Sequence, residues 1–256
     1  MEMKLVYDTS SDWMLIEGRD CENCLGNRYD PNTSSYFETT NVTTKQKKYG
    51  NLIHAEGKES RDQICLQTFQ WCIEPFNFFF VTEQFGIPEE VDGILGLAQG
   101  FQPRDGFNMP ADIELSPTYF LDVLFDAQHI LQKSFSTYFT GQFGDSFVDF
   151  GPVVESEMSD PAEFIVLPVS KDYFYSVVPQ GVKFGSVTDG DEFALFGIQA
   201  IFTTGIHFNM VPSSISQDFF LRLLEGILYY EENGIYFTNC GTEMKDLWFM
   251  VEEHWI

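Results

Sequence analysis

The chain has 256 residues, 44% of them hydrophobic and 21% charged, a globular composition that excludes a disordered chain and allows one or two domains. The formal net charge of -25 argues against nucleic-acid binding, because phosphate contacts need Lys and Arg; a solvated acidic surface, an acidic compartment or a basic protein partner are all compatible with it. No apolar run is long enough to cross a bilayer, and 27 Phe and 11 Tyr among many short Val, Ile and Thr runs favour strands.

In chain order, Lys4 to Tyr7 predicts a short strand running into Asp8-Thr9-Ser10-Ser11. A loop follows with Cys21, Cys24 and the turn-rich YDPNTSSYF. Strands are expected at Gln63 to Trp71 and Phe78 to Glu83, and VDGILGLAQG from Val91 to Gly100 reads as an apolar strand and turn. Ser116 as cap and Pro117 at the first helical position predict a helix over 116–126. Phe135 to Phe139 and Ser146 to Phe150 predict a hairpin, and Ile165 to Val169 and Tyr173 to Val178 two further strands. Ala200 to Phe202 leads into Thr203-Thr204-Gly205, and Ser213 or Ser214 is expected to cap a helix through Phe219, Phe220, Leu223 and Leu224. A junction at Pro152 to Pro161 divides the chain into 1–152 and 153–256, and both parts carry an apolar strand, a Thr-containing turn and a later helix.

Five cysteines stand at 21, 24, 65, 72 and 240, so at least one cannot pair within the chain. Cys21 and Cys24 form a C-x-x-C that zinc, redox chemistry or a small disulfide loop could each explain; zinc would want a second pair at similar spacing, and the sequence has none. Sequons at Asn32 and Asn41 agree with secretion, although the N-terminus shows no charged segment followed by an apolar run.

Several segments, in order, resemble the pepsin-like aspartic peptidases. LVYDTSSDW is similar to the family's first D-T-G turn, DCENCLGNRYDPNTSSYF to its small disulfide loop and the segment after it, VDGILGLAQG to its D-G-I-L-G-L, and AIFTTGIHFNMVP to its second turn. The resemblance implies an all-β, bilobal fold with a few short helices. It places Asp8 in the first catalytic position, Tyr49-Gly50 where the family carries its flap tyrosine, and a disulfide between Cys21 and Cys24, which would need an oxidising compartment and suggests a secretory or vesicular location. It implies no cofactor and no metal.

The family's chemistry uses two carboxylates that share one proton, because two like charges at contact distance cannot both ionise. Here Thr203 stands at the second position, and a hydroxyl is no usable acid or base at acid or neutral pH. Ser10 replaces the Gly of the first turn, and Ile206 and His207 replace small hydroxyl residues after the second. Asp191 and Asp218 lie a dozen or more residues away, and His207 reads as a space-filling turn residue. Thr9 and Thr204 are kept, and with Ser10 and Gly205 they would line the site.

The resemblance further implies that the family's first hairpin and last strands have no counterpart in this chain, leaving Cys240 without its partner and edge strands open to another protein. The expected function is therefore a pseudo-peptidase serving as a structural or peptide-binding subunit of a larger assembly. The alternatives are an active endopeptidase working at acid pH and a carrier of an apolar ligand in the cleft.

Overall fold

A computed structural model of the chain describes residues 1–48, 53–66, 71–87, 89–99, 115–139, 146–153, 165–170, 174–206 and 209–256. The expected flap residues Tyr49 and Gly50, and also His207, lie outside the described residues. The chain forms two compact units, one of 1–165, 172–175 and 203–205, the other of 166–171, 176–202 and 206–256. No helix among the described residues is long and apolar enough to cross a membrane.

The first unit is built on a six-stranded sheet. Its strands are β1 (Val6–Asp8), β2 (Leu15–Glu22), β3 (Glu38–Lys48), β4 (Ile53–Leu66), β5 (Trp71–Phe85) and β6 (Gly93–Gly96), in spatial order β1-β6-β2-β5-β4-β3. The pairs β1/β6 and β2/β5 are parallel and the rest antiparallel. Successive strand residues point to opposite faces. Trp13, Leu15, Phe79, Val81 and Ile94 pack into one core, whereas Met14, Ile16, Phe78 and Leu95 pack into another. Burial on both faces explains why Phe78 to Val81 is apolar without alternation. Each such side chain contributes about 1.5–3 kcal/mol.

The second core also holds Phe120 and Leu124 of α1 (Phe120–Asp126) and is flanked by the hairpin of β7 (Phe135–Tyr138) and β8 (Phe147–Phe150). The helix starts at Phe120, three residues later than its apparent cap predicts. Asn77 on β5 donates its backbone N–H to Thr118 Oγ1 and its side-chain amide to Ser116 O, which holds this approach out of the helix. The strand expected over 63–71 is instead the end of β4 and the start of β5, antiparallel partners joined by a Cys65–Cys72 disulfide.

The second unit contains β9 (Ser176–Val177), β10 (Gly181–Phe184), β11 (Asp191–Ala194), β12 (Ala200–Ile201), α2 (Ser213–Leu223), β13 (Tyr229–Glu232), β14 (Ile235–Thr238), β15 (Leu247–Val251) and β16 (His254–Trp255). A four-stranded sheet, β11-β10-β15-β16, meets α2 through Val182, Phe184, Leu195 and Phe219. Ile215, Phe219 and Leu223 recur at helical spacing on the buried side of α2. Ser213 is its first residue rather than its cap: Pro212 takes the cap position, and no side chain caps the helix. The residues 165–169 form no strand, and of the described residues of the strand expected at Tyr173 to Val178 only Ser176 and Val177 are paired as one; Tyr173 lies outside the described residues. The two units together give a mostly β protein with short helices, as an all-β pepsin-like fold requires.

Candidate active site

Asp8 ends β1, and its position comes from the parallel pairing of β1 with β6, in which Asp8 faces Gly96. Its backbone oxygen accepts from Leu97 N at 2.9 Å and from Ser11 N at 3.2 Å, closing the turn. Gly96 allows the close approach. A Cβ there would lie 2.5 Å from Ser11 O and 2.7 Å from Trp13 O, both backbone atoms that cannot swing aside.

The Asp8 side chain is 0% exposed, and its own turn satisfies it. Oδ1 accepts from Ser10 N at 2.9 Å and from Ser10 Oγ at 2.7 Å, and Oδ2 accepts from Ser11 Oγ. Ser11 was not among the residues the sequence singled out. A hydroxyl three positions after an aspartate in a tight turn is its local signal.

The segment 203–205 belongs to the same compact unit as Asp8 and meets it directly. Thr203 Oγ1 lies 3.3 Å from Asp8 Oδ1 and 3.1 Å from Ser10 Oγ. A threonine has one hydroxyl hydrogen. The shorter distances define a chain in which Thr203 donates to Ser10 and Ser10 donates to Asp8. Thr203 Oγ1 in turn accepts from Gly205 N at 3.2 Å.

Thr9 and Thr204 brace the two turns reciprocally. Thr9 N donates to Thr204 Oγ1 at 3.3 Å, Thr204 N donates to Thr9 Oγ1 at 3.2 Å, and Thr204 Oγ1 donates to Tyr7 O. This constellation of two tight turns, with a buried aspartate at the head of one and crossed threonine bonds between them, spans 195 residues of sequence. The family model described as eukaryotic aspartyl protease matches residues 1–256. The chain belongs to that family. A search of the curated proteins finds no match.

Of the residues expected at this aspartyl protease site, Asp8, Thr9, Ser10, Thr203, Thr204 and Gly205 come together. Asp191 does not join them; it pairs with Arg222 in the other unit. Cys21 and Cys24 are joined as a disulfide, and Cys240 is free and exposed. No group of His, Cys, Asp and Glu among the described residues is arranged to hold a metal.

Two further polar groups lie in or near the first unit's sheet, one beside the Asp8 turn and one near Asp92 at the far end of β6. Tyr175 donates its hydroxyl to Leu97 O at 3.0 Å, beside the Asp8 turn, and burial pushes its phenol up to about 12, so it remains a donor. Glu17 on β2 is 0% exposed, its Oε2 accepts from Gly26 N at 3.3 Å, and its Oε1 has no hydrogen-bond partner among the described residues. Burial raises its pKa and the nearby Asp92 adds to the rise, while the Gly26 N–H and the charge of Arg28 oppose it.

Proposed function

We propose that this aspartyl protease family member is a pseudo-peptidase that serves as a structural or peptide-binding subunit of a larger assembly. The observation that carries the reading is the hydroxyl of Thr203, 3.3 Å from Asp8 Oδ1, at the place where proton sharing needs a second carboxylate. A hydroxyl can donate to Asp8, but it can neither take up nor release a proton at working pH. The Ser10 hydroxyl also donates to Asp8 Oδ1 at 2.7 Å, the same oxygen that the Thr203 hydroxyl faces. The loss of paired acid–base assistance corresponds to about two to four orders of magnitude in rate.

The threonine brace supports retention of the scaffold for binding. An extended peptide would be held by strand-like backbone hydrogen bonds, with side-chain pockets giving selectivity. The same reading takes a protein as the partner, with unpaired strand edges as the place of contact.

The test is cleavage of an unfolded protein at acid pH, about 2 to 5, with and without a transition-state peptide inhibitor of aspartic proteases. No inhibitor-sensitive cleavage is expected, while a peptide of that inhibitor class should still bind. Inhibitor-sensitive cleavage that disappears in Asp8→Ala would instead establish the second reading, an active endopeptidase, which the retained, hydrogen-bonded Asp8 carboxylate favours.

A further inference from the structure

We propose that Asn41 is an N-glycosylation site and that its oligosaccharide covers the outer edge of the six-stranded sheet. Asn41-Val42-Thr43 has the acceptor pattern, with the threonine two positions after the asparagine. Strand β3 is the last in the spatial order, so among the described residues one side of it faces no other strand of that sheet. Thr39 pairs with Ser60 and Thr43 with Lys58. Three residues of β3, Thr40, Asn41 and Val42, therefore stand opposite the single residue Glu59, and Asn41 is the middle one of that bulge. Thr40 turns inward, is buried and donates its hydroxyl to Val42 O at 3.3 Å, whereas Asn41 and Thr43 are exposed. Among the described residues no hydrogen bond engages the side chain of Asn41 or Thr43.

Asn32 of the other sequon is exposed as well, but its side chain and its partner hydroxyl are both engaged. Asn32 lies in a 3-10 turn (Pro31–Thr33), with its side-chain amide donating to Asp30 Oδ1 at 3.0 Å. Its partner hydroxyl, on Ser34, donates to buried Asp62 at 2.6 Å. The disulfides Cys21–Cys24 and Cys65–Cys72 belong to an oxidising compartment, where N-glycosylation also takes place.

The transfer forms a bond between Asn41 Nδ2 and the anomeric carbon of an oligosaccharide carried on a lipid diphosphate. The bond from that carbon to the diphosphate oxygen breaks, the lipid diphosphate leaves with the electron pair, and the amide loses one proton. The consequence is steric. An unpaired edge invites pairing by another chain, and a hydrated oligosaccharide at the apex of the bulge blocks that approach along β3. A partner that adds a strand would then have to use another edge.

The protein purified from its own cells, treated with peptide N-glycosidase and mapped by peptide mass spectrometry, should show loss of a glycan and conversion of the Asn41 amide to a carboxylate. When the chain is expressed through a eukaryotic secretory pathway, Asn41→Gln and Thr43→Ala should each lose that glycan, and Thr43→Ser should keep it. An unmodified Asn41 in the mature protein, or a glycan on Asn32 alone, overturns the proposal. Because neither Asn41 nor Thr43 touches Asp8 or Thr203, this result is independent of whether the site is catalytic.

Discussion

The two active-site turns are built alike and equipped differently. Around Asp8, three donors from the turn itself, Ser10 N, Ser10 Oγ and Ser11 Oγ, converge on one buried carboxylate. At 203–205 the corresponding position carries a hydroxyl, which borrows its partners from across the brace and from Gly205 N. The crossed bonds of Thr9 and Thr204 are nearly equal in length, 3.3 and 3.2 Å, so they do not distinguish the turns. Architecture and chemistry are thus carried by different residues of the same few positions.

The largest effect should come from restoring the missing carboxylate. Thr203→Asp places an acid group against Asp8 without touching the threonine brace. Aspartic-type cleavage at acid pH should rise by about two to four orders of magnitude over the parent chain. The rise should be larger when Ser10→Gly is added, because the Ser10 hydroxyl no longer occupies Asp8 Oδ1. The measurement is cleavage of an unfolded protein, inhibited by a transition-state peptide. A folded variant with no gain would mean that more than one residue separates the two turns chemically.

A smaller effect tests the frame behind the first turn. Gly96→Ala should destabilise the protein by about 1–3 kcal/mol, read as a lowered denaturant midpoint, since its Cβ would lie 2.5 Å from Ser11 O. The damage should centre on the Asp8 turn and leave the second unit's sheet intact by hydrogen exchange. Wild-type stability in this variant would show that the turn is not held as tightly as the Asp8–Gly96 pairing implies.

Much of this architecture could be read from residue order. The apolar runs at Phe78 to Val81 and Val91 to Gly100, and the hairpin after Phe135, mark strands by local pattern alone. That Thr203 stands against Asp8 could be read only through a family resemblance, because no local rule joins residues 195 apart. The helix start was illegible for a related reason. Ser116 and Pro117 carry a good local start signal, but Asn77, far away in sequence, claims that segment. Ser11 had a local signal that a search for catalytic acids passes over. Glu17 had none, since a glutamate after Met14-Leu15-Ile16 gives no sign of whether the fold will bury it.

Glu17 also sets the smallest effect, a pH dependence of the six-stranded sheet that carries the first turn. It lies on β2, whose residues Leu15 and Ile16 pair with β6, the strand that backs Asp8. Its pKa is raised in the folded chain above the ordinary 4.5 by burial, with Asp92 adding to the rise and the Gly26 N–H and Arg28 pulling against it. The folded state therefore holds more protons than the unfolded state between the two values. This contribution is fully present below the unfolded value and is lost as pH rises through the folded one. Glu17→Gln keeps an acceptor for Gly26 N and removes the ionisation. The melting temperature of the variant should match that of the parent near pH 4 and exceed it increasingly towards pH 7, by about 2–4 °C for each kcal/mol involved. A gap between the two that stays constant with pH would show that Glu17 ionises as freely in the fold as outside it, and the sheet that carries Asp8 would then be as indifferent to acid as the threonine brace.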